Sequence, residues 1–298
     1  MKIIIFSSYP AIWSMALAEA TLAHALQKSG NEVVYITPGN EFTEKSNVLN
    51  ENILRGEFGL RGYDISKILT NDDRQEISRM MDDLNQNNFE NLIIDNINIG
   101  KIALYEFLLD HKKMTSSIAD AEWSECVGDI KNTLISFLAC KKIIEKEKPD
   151  SILMYNTLYS VNNVWKQYAH QKNVDVYFVH HGANVWDRDN TLIVAKNNTF
   201  YCINALKQMW SQLKNSPVSK ETAHYITNHF LELMKGKHYL AFSTAKSKET
   251  VDMRKLFGIS ENQKILTATM SSYDEIFAAE YIGAWDIPKD LIFAQQVD

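Results

Sequence analysis

The chain opens on a short apolar run, Lys2 to Phe6, rich in β-branched residues, the pattern of a strand buried on both faces. A helical pattern follows. Met15, Ala18, Leu22, Ala25 and Leu26 repeat at helical spacing, Ser14 stands where a cap belongs, and Gly30 stands where such a helix ends. Glu32 to Thr37 is the second strand, closed by Pro38-Gly39. A second unit of this kind covers 148–182. There Ser151 to Asn156 reads as a strand, Ser160 to Lys172 as a helix, and Val174 to Val179 as the next strand. Both strands run out into polar residues. In open α/β sheets, ligands sit beyond the carboxyl ends of the strands.

The remaining pattern is less regular. Residues 40–90 read as polar and irregular, apart from a helix around Asp72 to Asn85 with Ile77, Met80, Met81 and Leu84 on one face. Asn91 to Asp95 reads as a short strand. Ile99, Ile102, Ala103 and Phe107 mark a helix ending near Asp110, and Lys131 to Lys146 is another. Thr191 to Ala195 and Thr199 to Ile203 read as strands, 205–214 and 219–235 as helices, and 236–263 as a connector with one helical turn. Lys264 to Met270 is a further strand, with Ser271 or Ser272 capping a helix through Ala279. This alternation predicts an α/β fold, a Rossmann-like, doubly wound, mostly parallel sheet.

At 298 residues the chain is long for one core, so part of a second domain is expected. The division falls as a domain over 1–240, a linker over 241–263 and the start of a second domain over 264–298. A net charge of −6 argues against gripping nucleic-acid phosphates, which needs a basic face. Cys126, Cys140 and Cys202 are odd in number and far apart, and read as free thiols of a reducing compartment. The opening apolar run is too short for a signal peptide, and no run reaches membrane-spanning length, so a cytoplasmic location is expected. Peripheral contact with a membrane stays open, with Lys112-Lys113 and Lys141-Lys142 as weak candidates for anionic lipid.

Candidate chemistry collects after the strands. The first turn, Ser7-Ser8-Tyr9-Pro10, lacks the glycine pattern that lets backbone approach a pyrophosphate, so classical NAD or FAD binding is disfavoured. Hydroxyls and an aromatic ring suit a sugar, and an ordinary strand–helix turn explains them equally well. Asn156, Thr157, Tyr159 and Ser160 end the strand at 151–156. The Asn156 amide can donate to and accept from a hydroxyl. The helix beginning near Ser160 would aim its free N–H groups at this crevice, with Ser160 as its cap. His180-His181-Gly182-Ala183-Asn184 follows the next strand. Adjacent strand residues point to opposite faces, so the two imidazoles do not chelate one metal, but either could be a general base. Asp187-Arg188-Asp189 matches a short metal-binding pattern of some sugar transferases. In a polar loop it reads as a solvated turn, and no metal site is expected.

The segments AHALQKSGNEVVYIT, KPDSILMYN, VYFVHHGAN and KILTATMSSYDE together resemble the amino-terminal half of a GT-B glycosyltransferase, of the kind that builds bacterial capsule or lipopolysaccharide. The resemblance implies two facing Rossmann-like domains. The first would bind the acceptor and supply the base, and the second would bind the nucleotide sugar. It implies His181 or His180 as the catalytic base, and Ser7, Ser8, Tyr9, Asn156, Tyr159 and Asn184 as contacts to a saccharide or lipid-linked acceptor. A nucleotide sugar would be the co-substrate, with no tightly bound cofactor and no divalent metal, at the inner face of the cell membrane. About 35 residues follow the expected boundary, too few for a donor domain. The chain therefore reads as a fragment with a missing second domain, or as a protein that has lost transfer activity. Two alternatives remain: a non-catalytic glycan- or partner-binding module, and a nucleotide-sugar epimerase of the same fold.

Overall fold

The computed structural model describes residues 1–42, 46–181, 191–197, 209–235, 251–265 and 273–284. The first half runs β1 (Lys2–Phe6), α1 (Trp13–Lys28), β2 (Glu32–Thr37), α2 (Val48–Phe58), β3 (Gly62–Asp64), α3 (Ile65–Ile68), α4 (Asn71–Asp82), β4 (Ile93–Ile94), β5 (Ile97–Asn98), α5 (Ile99–Asp110) and α6 (Trp123–Glu147). There follow β6 (Ser151–Met154), α7 (Ser160–Gln171), β7 (Asp175–His181), β8 (Leu192–Lys196), α8 (Lys220–Met234), α9 (Met253–Phe257) and α10 (Tyr273–Tyr281).

Six strands form one sheet in the order β3-β2-β1-β6-β7-β8. The first five are parallel and β8 runs antiparallel to β7. Phe6 pairs with Ile36 on one side and Met154 on the other, and Met154 pairs with Phe178. The chain therefore leaves β1, β6 and β7 along one edge. The strand order reverses between β1 and β6, which makes that gap the topological switch point.

Each face of the sheet has its own core. Ala16, Ala20 and Ala23 of α1 and Leu54 of α2 pack on Ile3, Ile5, Val33, Tyr35, Leu153 and Val179. On the other face α5, α6 and α7 cover Ile4, Phe6, Ile36, Ile152, Met154 and Val176. There the rings of Phe6 and Trp165 stack at 4.4 Å. The helix α10 adds Ala278, Ala279 and Ile282 to this second core, and Asp274 pairs with Lys112 of the turn after α5 at 3.1 Å. Among the described residues, no helix is long and apolar enough to cross a membrane.

Several elements depart from the pattern read in the sequence. The residue capping α1 is Ile12, not Ser14, and no side chain closes the cap. Ala25 is exposed, and the buried stripe runs through Ala16, Glu19, Ala20 and Ala23. Small alanines let α1 approach the sheet closely, and an acid occupies a core position in their midst. The supposedly irregular 40–90 region contains α2. Asn47 caps that helix by accepting from Asn50 N at 3.1 Å, and Gly59 ends it at φ +62. Its buried residues are only Leu54 and Glu51, so it shows no apolar stripe. The β4 strand pairs only with β5, in a hairpin outside the main sheet. The α6 helix begins at Trp123, a full two turns before Lys131. Both histidines lie inside β7, because β8 folds back to pair His180 with Ile193 and His181 with Leu192. The strand expected at Thr199 to Ile203 and residues 266–270 lie outside the described residues.

Candidate functional site

The crevice at the switch point is built from the chain that leaves β1 and the chain that leaves β6. Ser7 N donates to Ile36 O at 2.9 Å and so prolongs the strand pairing. Ser7 and Ser8 are buried. Tyr9 is buried too, and its hydroxyl donates to Glu106 Oε1 at 2.9 Å. These three residues lie beneath the carboxyl edge of the sheet rather than open at its surface. Half-buried Tyr159 lies above them, its ring 4.9 Å from that of Tyr9 and 6.2 Å from that of Tyr105.

The turn 155–160 is held by side chains from both faces of the sheet. From α1, Glu19 Oε1 accepts from Tyr155 N at 2.8 Å. From α5, Glu106 accepts from Ser160 N at 3.0–3.1 Å and from Ser160 Oγ at 3.0 Å. Two buried amides of α7 brace the turn from below, Asn162 Nδ2 on Asn156 O at 2.6 Å and Asn163 Nδ2 on Thr157 O at 3.0 Å. Asn156 Oδ1 accepts from Leu158 N at 2.6 Å.

One expectation is corrected here. The first N–H of α7 is not open to the crevice, and the backbone N–H groups of Asn162 and Asn163 are also engaged. Ser160 N goes to Glu106, and the Asn162 and Asn163 amides donate to Tyr159 O at 2.9 and 2.7 Å. The positive end of the helix already holds the protein's own carboxylate. A phosphate would meet a like charge there.

Burial governs titration beneath that edge. It pushes the Glu19 carboxyl up to about 8, against the pull of Ser7 and Tyr155 N. A protonated carboxyl keeps an acceptor for Tyr155 N and gains a donor of its own. Tyr35, beneath Ser7, is raised by burial and then by Glu19. Burial and then the Glu106 charge hold the Tyr9 phenol well above its usual value.

His180 is half-buried, its ring 4.9 Å from that of Tyr155 and 6.4 Å from that of Phe178. Because Phe178 pairs with Met154, His180 comes level with Asn156 at the rim. His181 continues β7, its backbone paired with Leu192. Asn184, Asp187 to Asp189 and Cys202 lie outside the described residues. Cys126 and Cys140 are buried free thiols. Burial raises the first to about 12 and the second well above the usual thiol range. Neither is a nucleophile at neutral pH.

Tyr9, Asn156, Tyr159 and His180 thus meet at one edge of one sheet, with Ser7 and Ser8 beneath them. The residues missed in the sequence are Glu19 and Glu106. Both had a signal. Glu19 is a lone acid in an alanine-rich run, and Glu106 is a lone acid in the apolar helix Ile102 to Leu109. A helix with no polar face is buried, and a buried acid must have partners.

Fold and crevice together define an α/β protein with a mostly parallel six-stranded sheet, Rossmann-like in layout. No protein-family model matches the chain, and no curated protein matches it in sequence.

Proposed function

We propose that the chain is the acceptor-binding part of a GT-B-like glycosyltransferase acting in bacterial surface-polysaccharide synthesis. The observation that carries this reading is the carboxylate of Glu106 on the start of α7. It disfavours a phosphate at that helix start and leaves the place to a neutral, hydroxyl-rich ligand. Tyr159 offers an aromatic face and Asn156 an amide to a saccharide or lipid-linked acceptor. His180 or His181 would take the proton of the acceptor hydroxyl. The freed oxygen would attack the anomeric carbon of a nucleotide sugar, and the bond from that carbon to the diphosphate would break. The diphosphate needs cationic or N–H donors, which this crevice spends on Glu106, so the nucleotide sugar would be held by residues outside 1–240.

Titration with saccharides tests the acceptor site. Tyr159→Ala and Asn156→Ala should each weaken binding roughly tenfold with the fold intact, and unchanged binding in both would overturn the reading. For the base, His180→Ala or His181→Ala should abolish transfer and leave the unfolding midpoint nearly unchanged. Transfer that survives both substitutions would remove the imidazoles from the mechanism. A second reading, a glycan-binding module without chemistry, is favoured by the commitment of the Tyr9 hydroxyl to Glu106. It predicts saccharide binding with no transfer from any nucleotide sugar.

A further inference from the structure

A second site stands apart from the crevice. A cavity of about 470 Å³ opens at the β3 edge of the sheet. It lies two strands from β1, or roughly 10 Å. Its lining includes Arg55 of α2, Tyr63 and Asp64 of β3, Lys67 of α3, and Lys142 and Lys146 of α6. Four cations face a single carboxylate there, on a chain whose net charge is −6. Such a local inversion of sign focuses the field and draws anions.

The cations differ in kind. Arg55 is fixed: its Nη2 donates to Thr37 Oγ1 and Tyr63 O, both at 2.8 Å, and pairs with Asp64 at 2.9 Å. Its Nε is shut from solvent and has no acceptor. A guanidinium held in this way brings a fixed charge to the cavity and needs little ordering when an anion enters. Lys146 Nζ stands 4.4 Å from the centre of the Tyr63 ring and has no carboxylate partner among the described residues. Lys67 and Lys142 reach out to Asp64 and Asp73, with side chains 80% and 39% exposed, so either can turn toward an incoming charge. A fixed charge with mobile point charges around it suits a tetrahedral dianion better than a lone carboxylate.

We propose that this cavity binds a small phosphate-bearing ligand, at a position independent of the saccharide crevice. The test uses the full chain and the double variant Lys67→Ala/Lys146→Ala, both residues being exposed. Inorganic pyrophosphate should raise the unfolding midpoint and move the Arg55 Nε–H resonance, and its affinity should drop roughly tenfold in the double variant. Vesicles of phosphatidylglycerol, with phosphatidylcholine as control, separate the sources. Retention by the anionic vesicles alone, lost in the double variant and without a pyrophosphate response, assigns the phosphate to a lipid headgroup. A chain that responds to neither probe, or a double variant that binds as tightly as the parent, overturns the proposal.

Discussion

Glu19 is an acid in a place built for alanine. It occupies the buried stripe of α1, on the face toward β1, β2 and β7. Its pKa of about 8 has a consequence for stability. Below its ordinary value the acid is neutral in both folded and unfolded chains, and the fold bears no cost. As pH rises toward 8 the unfolded chain ionises and the folded one does not, so stability falls across that window, by roughly 5 kcal/mol at most. Glu19→Gln keeps an acceptor for Tyr155 N and cannot ionise. Urea unfolding at pH 5 and pH 8 should show a smaller loss for the variant than for the parent, and equal losses would mean that Glu19 is ionised in the fold. The residue types of the crevice were legible in the sequence, since Tyr9, Asn156 and Tyr159 follow strand ends and His180 stands near the end of β7. Their burial was not legible. It depends on Glu106 and Tyr105 arriving from a helix far along the chain, and no local pattern encodes that arrival.

At the scale of elements, α7 shows how a helix start is completed from a distance. Its N-cap, Tyr159, makes no side-chain cap, and Glu106 of α5 does that work. Glu106→Ala would strand the Tyr9 hydroxyl and both Ser160 donors, at a cost of about 3 kcal/mol. Glu106→Gln keeps an acceptor oxygen and should cost less. The midpoint of urea unfolding measures both, and equal costs would mean that the carboxylate charge, rather than the hydrogen bonds, sustains α7. The β3 strand depends on a different economy. A Cβ on Gly62 would lie 1.6 Å from Tyr35 O, so only glycine lets β3 close on β2. Gly62→Ala should therefore lower stability by about 2–4 kcal/mol and loosen the β3 cavity with it. Amide exchange across Tyr35 and Tyr63 reports the loss, and protection equal to the parent's would refute it. The elements most legible in the sequence are the continuous apolar runs of β1, β2, α5 and β6 and the patterned helix α7. The α2 helix escaped because a helix burying a single leucine has no stripe. Of the hairpin, β4 was read and β5 escaped because two residues leave no period, and the direction of β8 escaped because a strand's composition does not say which way it runs.

Across the whole molecule, the sheet separates two chemistries. Its centre, between β1 and β6, gathers hydroxyl, aromatic and imidazole groups over a neutralised helix end. Its β3 edge gathers cations. The mostly parallel sheet followed from the alternation of strands and helices, because short crossovers leave few topologies to choose from, while the strand order and the place of the switch point came only with the structure. The charged edge did not follow, since Arg55, Lys67, Lys142 and Lys146 come together only when three helices meet the sheet.

The carboxylate on the start of α7 is an internal counter-ion, and this gives the crevice an unusual indifference to its medium. With the start of α7 already matched, that end of the crevice has nothing for chloride or phosphate buffer to compete for. Saccharide affinity should change less than about twofold between about 0.05 and 0.5 M salt, whereas pyrophosphate affinity at the β3 edge should fall severalfold. A saccharide site that weakens with ionic strength in parallel with the edge would mean that an open cation, not a neutral recess, holds the sugar.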